Sequence, residues 1–202
     1  MSQSNPQELL HLDLEHPIWE RFFSVAPLVI VGTKEAEGGY DLAPKHLAMP
    51  LGWDNYFGFI CTPRHRTYQN IQREQVFTVS FPTPEQIIYT SLTAAPRCDN
   101  DQKLSLEVIP VEKALRIEGI FLKDAYLVLE CELDRIIDHF GENSLIAGKI
   151  VAAHLQKQAL REPDIDDHDI IDQLPLLAYL SPGRFATIKH TQGFPFHQGF
   201  KR

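Results

Sequence analysis

Short apolar runs separated by turn residues recur along the first half of the chain. Residues 27–33, 56–61 and 76–81 are apolar runs rich in β-branched or aromatic side chains, and each predicts a buried strand. A glycine turn at 37–39 leads into a fourth predicted strand at 40–49, which contains a proline and is therefore expected to be irregular. The first half of the chain is thus predicted to be mainly β-structure.

The second half continues the strand pattern. Residues 115–121 and 127–133 alternate apolar and polar side chains, which predicts two half-buried strands, and residues 145–151 predict another that is interrupted by Gly148. Residues 185–188 predict a last edge strand. Six or more strands with few, short helices favour a mainly β fold, an antiparallel barrel decorated by helices.

Three short helices and one acidic loop complete the predicted elements. One amphipathic helix is expected at 16–23 and another at 67–74, where apolar side chains share a face. Thr83 as a cap, Pro84 in the first helical position and Gln86 as the capping-box partner predict the start of a third helix, running to about Thr93. Residues 162–172 hold six acidic side chains and no lysine or arginine, which predicts a solvated loop.

Composition excludes several classes of protein. The 202 residues carry 19 Lys and Arg against 27 Asp and Glu, and the net charge of −8 disfavours partners such as nucleic acid or an anionic membrane. No apolar run approaches the roughly 20 residues of a membrane-spanning helix. The polar N-terminus lacks a secretory-signal pattern, so we expect a cytoplasmic protein.

We expect an N-terminal helical extension at 1–26, a core at 27–160, and an acidic loop with a C-terminal extension at 161–202.

The cations of this acidic chain are concentrated in one stretch. Residues 41–73 contain four lysines and arginines against two aspartates, a local balance of +2. Arg64, Arg66 and Thr67 stand where a strand is predicted to turn into a helix, and such a turn offers free backbone N–H groups and a positive dipole end. The three side chains and the turn would form a phosphate cradle. A capped helix with solvated arginines is the alternative.

Other candidate positions are less specific. The proline in the strand around residues 43–46 would expose backbone donors to a planar ring, although an edge strand with a bulge explains it equally well. Gly148 indicates either a bulge or a close backbone approach, and His154 is either a surface residue or a ligand contact. Metal-ligand spacing is absent from the three cysteines (Cys61, Cys98 and Cys131), and no nucleotide-binding glycine motif or nucleophile elbow occurs in the sequence.

The order of several short segments resembles the flavin reductase-like family of FMN-binding split barrels. Residues 37–44 resemble its glycine turn and Asn-x-Ala-Pro-x-Ser element, and residues 66–71 resemble its basic-Thr-x-x-Asn-Ile segment. Residues 77–80 are similar to its Phe-x-Val-Asn strand. Residues 130–133 resemble its Glu-Cys strand, and residues 146–151 its late Ile-Gly-x-Val-Val strand. The resemblance spans about residues 27–154.

This resemblance implies a homodimer with FMN near the subunit interface, FAD being the other flavin considered, and NAD(P)H as co-substrate. It implies that the flavin ring lies near residues 43–46 and that the ribityl phosphate lies near residues 62–70. No side chain is assigned to acid–base chemistry, and His154 is a candidate nicotinamide contact. The implied cofactor-binding residues are Ala43, Pro44, Lys45, His46, Cys61, Thr62, Arg64, Arg66, Thr67, Asn70, Gly148 and Lys149.

Three positions depart from the family pattern: Asp41 and Ser80 stand where asparagine is usual, and His46 where serine is usual. A carboxylate near an anionic cofactor is unfavourable unless Asp41 points away or pairs with Lys45. The resemblance implies an NAD(P)H-dependent flavin oxidoreductase. The alternatives are a flavin-binding redox sensor or carrier without nicotinamide turnover, a related barrel using heme or a deazaflavin, and a cofactor-free barrel.

Overall fold

A curled antiparallel sheet of seven strands dominates the computed structural model, which describes residues 9–99 and 101–199. A three-stranded sheet and a two-stranded hairpin accompany it. The predicted mainly β fold, a split barrel, is confirmed.

The described residues form twelve strands, three α-helices and three short 3-10 helices. The helices are α1 (Arg66–Glu74), α2 (Ile87–Leu92) and α3 (Asp167–Gln173). The strands are β1 (Ser24–Pro27), β2 (Val29–Lys34), β3 (Tyr40–Lys45), β4 (Ala48–Pro50), β5 (Tyr56–Cys61), β6 (Val76–Phe81), β7 (Val111–Lys113), β8 (Ile120–Leu122), β9 (Leu127–Phe140), β10 (Asn143–Leu155), β11 (Leu176–Ser181) and β12 (Arg184–Ile188). The strand order of the large sheet is β3-β2-β6-β9-β10-β5-β4, and that of the three-stranded sheet is β1-β11-β12. The hairpin consists of β7 and β8.

The sheet curls because the predicted strand at 40–49 is in fact two strands on opposite edges. β3 pairs with β2, whereas β4 pairs with β5. Only His46 and Leu47 separate the two strands in the chain, so the edges of the sheet must approach each other there. The amide of Ile60 donates to the carbonyl of Leu47 at 2.8 Å and holds this corner. The irregularity predicted in the strand at 40–49 is thus the place where the chain crosses between the two edges and closes the barrel.

Each face of the curled sheet has its own core. The inner core contains buried side chains from β2, β5, β6, β9 and β10, and Phe59 meets Phe77 edge-on there with ring centroids 5.5 Å apart. Tyr68 and Ile71 of α1 close one end of this core. On the outer face, Ile30, Leu42, Leu122 and Val128 form a second core beneath the β7–β8 hairpin. The two cores explain why successive residues of the central strands are buried.

Three predicted elements are wrong. No helix forms in the described part of the predicted N-terminal extension, where residues 9–23 hold turns and bends and Trp19 and Phe23 are exposed. The predicted strand at 115–121 is mostly the turn between β7 and β8. The predicted acidic loop at 162–172 contains most of α3, because the Asp166 side chain accepts from the amide of His168 and caps the helix.

Strands from the N-terminal and C-terminal parts of the described chain meet in the small sheet. β11 pairs with β1 and with β12, which confirms the predicted edge strand at 185–188. The predicted N-terminal and C-terminal extensions therefore share a sheet, while the division at residues 26 and 160 stays a prediction. None of the helices within 9–99 and 101–199 has the length and apolar character needed to cross a membrane.

Gly148 is needed by the inner core. A Cβ atom at this position would overlap the ring of Phe77, with Cε1 at 2.7 Å, and would lie 3.1 Å from Cβ of Cys131. We expect Gly148→Ala to lower the free energy of unfolding by about 1–3 kcal/mol, as measured by urea denaturation, because the core must shift to admit a methyl group. Gly193→Ala is the control, since nothing lies within 4 Å of its Cβ position. Equal midpoints for the two variants would contradict this account.

Candidate functional site

Lys45 is a half-buried cation at the closing corner of the barrel. It ends β3 and comes close to Cys61 at the end of β5. Burial lowers the pKa of Lys45, although the nearby Cys61 and Asp41 partly offset this effect. Burial also raises the pKa of the Cys61 thiol, so the thiol does not neutralise the ammonium group. Within the described residues no carboxylate forms an ion pair with Lys45.

Two histidines beside Lys45 are held neutral. Burial and the charge of Lys45 lower the pKa of His46 below its ordinary value. Burial, Lys45 and Arg64 do the same for His65. Both imidazoles are therefore uncharged at pH 7 and offer hydrogen bonds without adding positive charge.

The candidate phosphate cradle lies at the start of α1. His65 occupies the N-cap position, and no side chain caps the first turn. The first N–H groups of a helix lack partners inside the helix, so this turn has donors for an anion. The side chain of Thr67 is buried at the second position of α1. The sequence therefore located a strand-to-helix turn correctly, with its N–H groups uncapped.

The two arginines of this turn point to different neighbours. Arg64 forms an exposed ion pair with Glu142 at 3.3 Å, on the β9–β10 hairpin. Arg66 pairs with Asp101, in the loop that follows α2. Exposed pairs of this kind contribute at most about 1 kcal/mol, so an incoming anion can replace either carboxylate.

Asp41 does not pair with Lys45. Its buried carboxylate accepts from Nζ of Lys103 at 3.1 Å and lies 3.3 Å from Nη2 of Arg97. Arg97 also pairs with Glu35, which ties the loop after α2 to the β2–β3 hairpin. Arg97 and Lys103 are not predicted from the sequence, because a polar loop gives no signal that its cations reach a strand some 60 residues earlier. The unusual carboxylate at position 41 is thus neutralised by two cations from outside the predicted site.

Two clefts flank β3. The first, here called the hairpin cleft, has a volume of about 520 Å³ and lies between the β2–β3 turn, Arg66 and residues 97–107. The second, here called the apolar cleft, has a volume of about 510 Å³. Pro44 and His46 contribute to it, together with α2 and the β11–β12 hairpin. The ring of His46 lies 4.6 Å from that of Tyr179 there.

Three further predicted contacts have structural roles of their own. Asn70 is buried, and its amide donates to Oγ1 of Thr33 at 3.0 Å and accepts from Arg73 at 3.0 Å. Gly148 faces the ring of Phe77 at a register shift of the β9–β10 pair, so both the bulge and the close approach are present. Lys149 is exposed on β10. Their contact with a cofactor stays a prediction.

His154 lies away from this corner. Its Nε2 atom is 2.7 Å from Oε1 of Glu130, on β9. Glu130 is fully buried and also accepts three successive backbone N–H groups, those of residues 115–117, at 2.7–3.1 Å. His154 pairs in register with Val128 of the outer core, whereas Cys61 belongs to the inner core. The structure does not bring His154 together with Lys45.

Ser80, the third departure from the family pattern, also serves the outer face. Its Oγ atom accepts from the amide of Leu122 at 3.0 Å. It therefore attaches the β7–β8 hairpin to β6 and takes no part in the corner around Lys45.

Comparison with known proteins agrees with the split-barrel fold. The sequence model of the Flavin reductase like domain matches residues 23–187. Component B of nitrilotriacetate monooxygenase from Bacillus cereus is similar in structure, with a TM-score of 0.79 and 16% identity over 94% of this chain and 100% of that one. Flavoredoxin from Methanosarcina acetivorans gives a TM-score of 0.75 and 19% identity over 95% and 97%.

A third similar structure is 2-nitrobenzoate 2-nitroreductase from Pseudomonas fluorescens. It gives a TM-score of 0.72 and 18% identity, over 88% of this chain and 87% of that one. At these identities the three structures establish the fold.

The network around Glu130 makes stability depend on pH. Burial alone raises the pKa of this carboxyl, but the three backbone N–H groups and His154 outweigh burial, and the pKa lies below its usual value. A carboxyl with a depressed folded-state pKa stabilises the protein above its unfolded pKa of about 4.3. That contribution is lost as the pH falls through the folded-state value.

We expect Glu130→Gln to lower the free energy of unfolding at pH 7 by about 2–4 kcal/mol, because an amide presents only one acceptor oxygen to several donors. The difference from the parent protein should begin to shrink as the pH falls below the unfolded-state pKa of about 4.3 and should continue to shrink toward the lower folded-state pKa. Urea titrations at pH 7 and pH 3.5 measure both effects. Glu132→Gln, an exposed position on the same strand, serves as control; a loss at pH 7 no larger than that of the control would rule the network out as a stabilising element.

Proposed function

Since this chain belongs to the family defined by the Flavin reductase like domain, we propose that it is an FMN-binding oxidoreductase that takes reducing equivalents from NADH or NADPH. FMN rather than FAD, and the nicotinamide donor, are parts of this proposal. The uncompensated charge of Lys45 carries it. In a chain of net charge −8, a half-buried cation without a carboxylate partner in the described residues is suited to an anionic ligand.

The residues around Lys45 fit the two ends of FMN. The dianionic phosphate would be held by the uncapped N–H groups of α1 with Arg64, Arg66 and Thr67. The flavin ring would lie along residues 43–46, where Lys45 and neutral His46 provide donors. Neutralisation of Asp41 by Arg97 and Lys103 removes the repulsion that this carboxylate would otherwise exert on the cofactor.

A bound flavin would supply the redox chemistry, accepting a hydride from a nicotinamide and passing electrons to an acceptor. The protein's own part is binding, orientation and charge. Lys45 would face the negative charge that develops on the ring when it is reduced, and a cation fixed there in advance needs no reorganisation. No side chain is required as acid or base.

We also propose that the protein is a cytoplasmic homodimer with the cofactor near the subunit interface. Leu47, Met49 and Trp53 are exposed at and beside the β4 edge of the sheet, and Trp53 is 89% exposed. A cluster of large apolar side chains at a sheet edge is typical of an interaction surface.

A second candidate is an electron carrier that binds FMN but does not react with nicotinamide. It is favoured by the likeness to a structure named flavoredoxin. The positive charge of Lys45 supports the electron carrier equally well, because this charge favours the binding of FMN and does not depend on a reaction with nicotinamide.

The first experiment identifies the cofactor and then separates the two candidates. We expect the purified protein, as isolated or after addition of FMN, to show a flavin absorbance spectrum, and acid release to yield a ligand with the mass of FMN. Anaerobic stopped-flow mixing with NADH or NADPH should bleach that spectrum within seconds. A flavin that binds but is not bleached favours the carrier, and a protein that binds neither FMN nor FAD excludes both candidates.

Replacement of Lys45 tests the charge argument directly. We expect Lys45→Met to weaken FMN binding roughly tenfold, and the difference should narrow at high salt, where screening weakens the cation in the parent protein. The midpoint potential of the bound flavin should fall by roughly 30 mV, which corresponds to about 1.4 kcal/mol for two electrons. Flavin fluorescence titration and a dye-coupled redox titration measure the two effects. Lys157→Met, in an exposed turn after β10, should change neither; the same result for Lys45→Met would remove the main support of the proposal.

A further inference from the structure

Most residues that line the apolar cleft have no role in the proposed binding of the cofactor. Its walls are formed by Leu28, Ile87, Ile88 and Ala94, and Phe185 extends them on the β12 side. The rings of His46 and Tyr179, with centroids 4.6 Å apart and planes tilted by 39°, line the opposite side. Apolar walls and aromatic rings are suited to a planar aromatic ligand.

Charge in the apolar cleft has a single sign. Among the described residues that line it, Arg184 is the one side chain charged at pH 7, because burial and Lys45 keep His46 neutral. No carboxylate of the described chain forms an ion pair with Arg184. In a protein with an excess of eight negative charges, an apolar cleft that contains an arginine and no acid is complementary to an anion.

Tyr179 adds a directed donor. Its hydroxyl oxygen accepts from the amide of Gly183 at 2.8 Å, so the hydrogen bond fixes the oxygen beside the turn that carries Arg184. The phenolic hydrogen is then available to a ligand. A guanidinium and a phenol on one hairpin make a suitable pair for a carboxylate at the end of a flat ring system.

We propose that the apolar cleft binds a planar aromatic molecule carrying one anionic group, with the ring between α2 and the rings of His46 and Tyr179 and the anion at Arg184. Pro44 and His46 belong both to this cleft and to the segment proposed to lie along the flavin ring. The ligand would therefore sit next to the cofactor as its organic substrate. Only this last step rests on the proposed function; the binding itself does not.

The test uses a matched pair of probes, 2-naphthoate and the uncharged 2-naphthamide, titrated by calorimetry into the full-length protein with and without FMN. We expect naphthoate to bind roughly three- to tenfold more tightly than naphthamide. Arg184→Gln should abolish this preference while leaving naphthamide affinity unchanged, and Tyr179→Phe should reduce it. Lys189→Gln, exposed just after β12, is the control and should preserve the preference.

Several outcomes would overturn the inference. Equal affinity for the two probes, or a preference that survives Arg184→Gln, removes the anion site. Displacement of naphthoate by FMN would assign the apolar cleft to the cofactor, and displacement by NAD⁺ would assign it to the nicotinamide nucleotide. FMN affinity is measured separately by flavin fluorescence, so a protein that binds naphthoate but no flavin supports this inference while contradicting the proposed function.

Discussion

The buried carboxylate of Asp41 sets the charge of the whole corner where the sheet closes. A carboxylate removed from water needs partners, and Asp41 has two, Lys103 and Arg97. These cations come from the loop after α2, and Lys45 on the same strand has no carboxylate partner among residues 9–99 and 101–199. One neutralised carboxylate and one uncompensated ammonium group therefore stand a few residues apart. The Lys45 ammonium group can attract an anion to this corner because the Asp41 carboxylate is already paired with Lys103 and Arg97.

The closure of the barrel brings this charge to the phosphate cradle. β3 and β4 follow each other in the chain but occupy opposite edges of the sheet. The sheet must curl for the chain to pass from one edge to the other at His46. The same curvature places the end of β5 beside Lys45. The turn that follows β5 then starts α1 beside that cation. The position of the candidate site is thus a consequence of topology, and the site would not exist in a flat sheet.

The outer face of the sheet contains a separate polar network with a structural purpose. Glu130 accepts three N–H groups from the β7–β8 turn and is joined by His154. Ser80 attaches the same hairpin through the amide of Leu122. Two residues that drew attention in the sequence, His154 and Ser80, are explained by this hairpin and not by the corner around Lys45. The segments that resemble the family therefore lie on both faces of the sheet, and only one face contributes to the candidate site.

The sequence by itself determined the mainly β fold, the strands β5 and β6, the glycine turn, and the helix that follows the basic turn, because these depend on local periodicity and local turn chemistry. It also located the stretch 41–73 as the place of concentrated positive charge. Only the tertiary structure decided which charges remain free, since the partners of Asp41 lie about 60 residues away and loops give no periodic signal. It also decided that the ring of Phe77 fills the space beside Gly148 and that Asn70 is hydrogen-bonded to Thr33. The turn of residues 115–117 around Glu130 was decided in the same way. Each of these depends on contacts between distant segments, which are fixed when the sheet curls and not by the residues on either side.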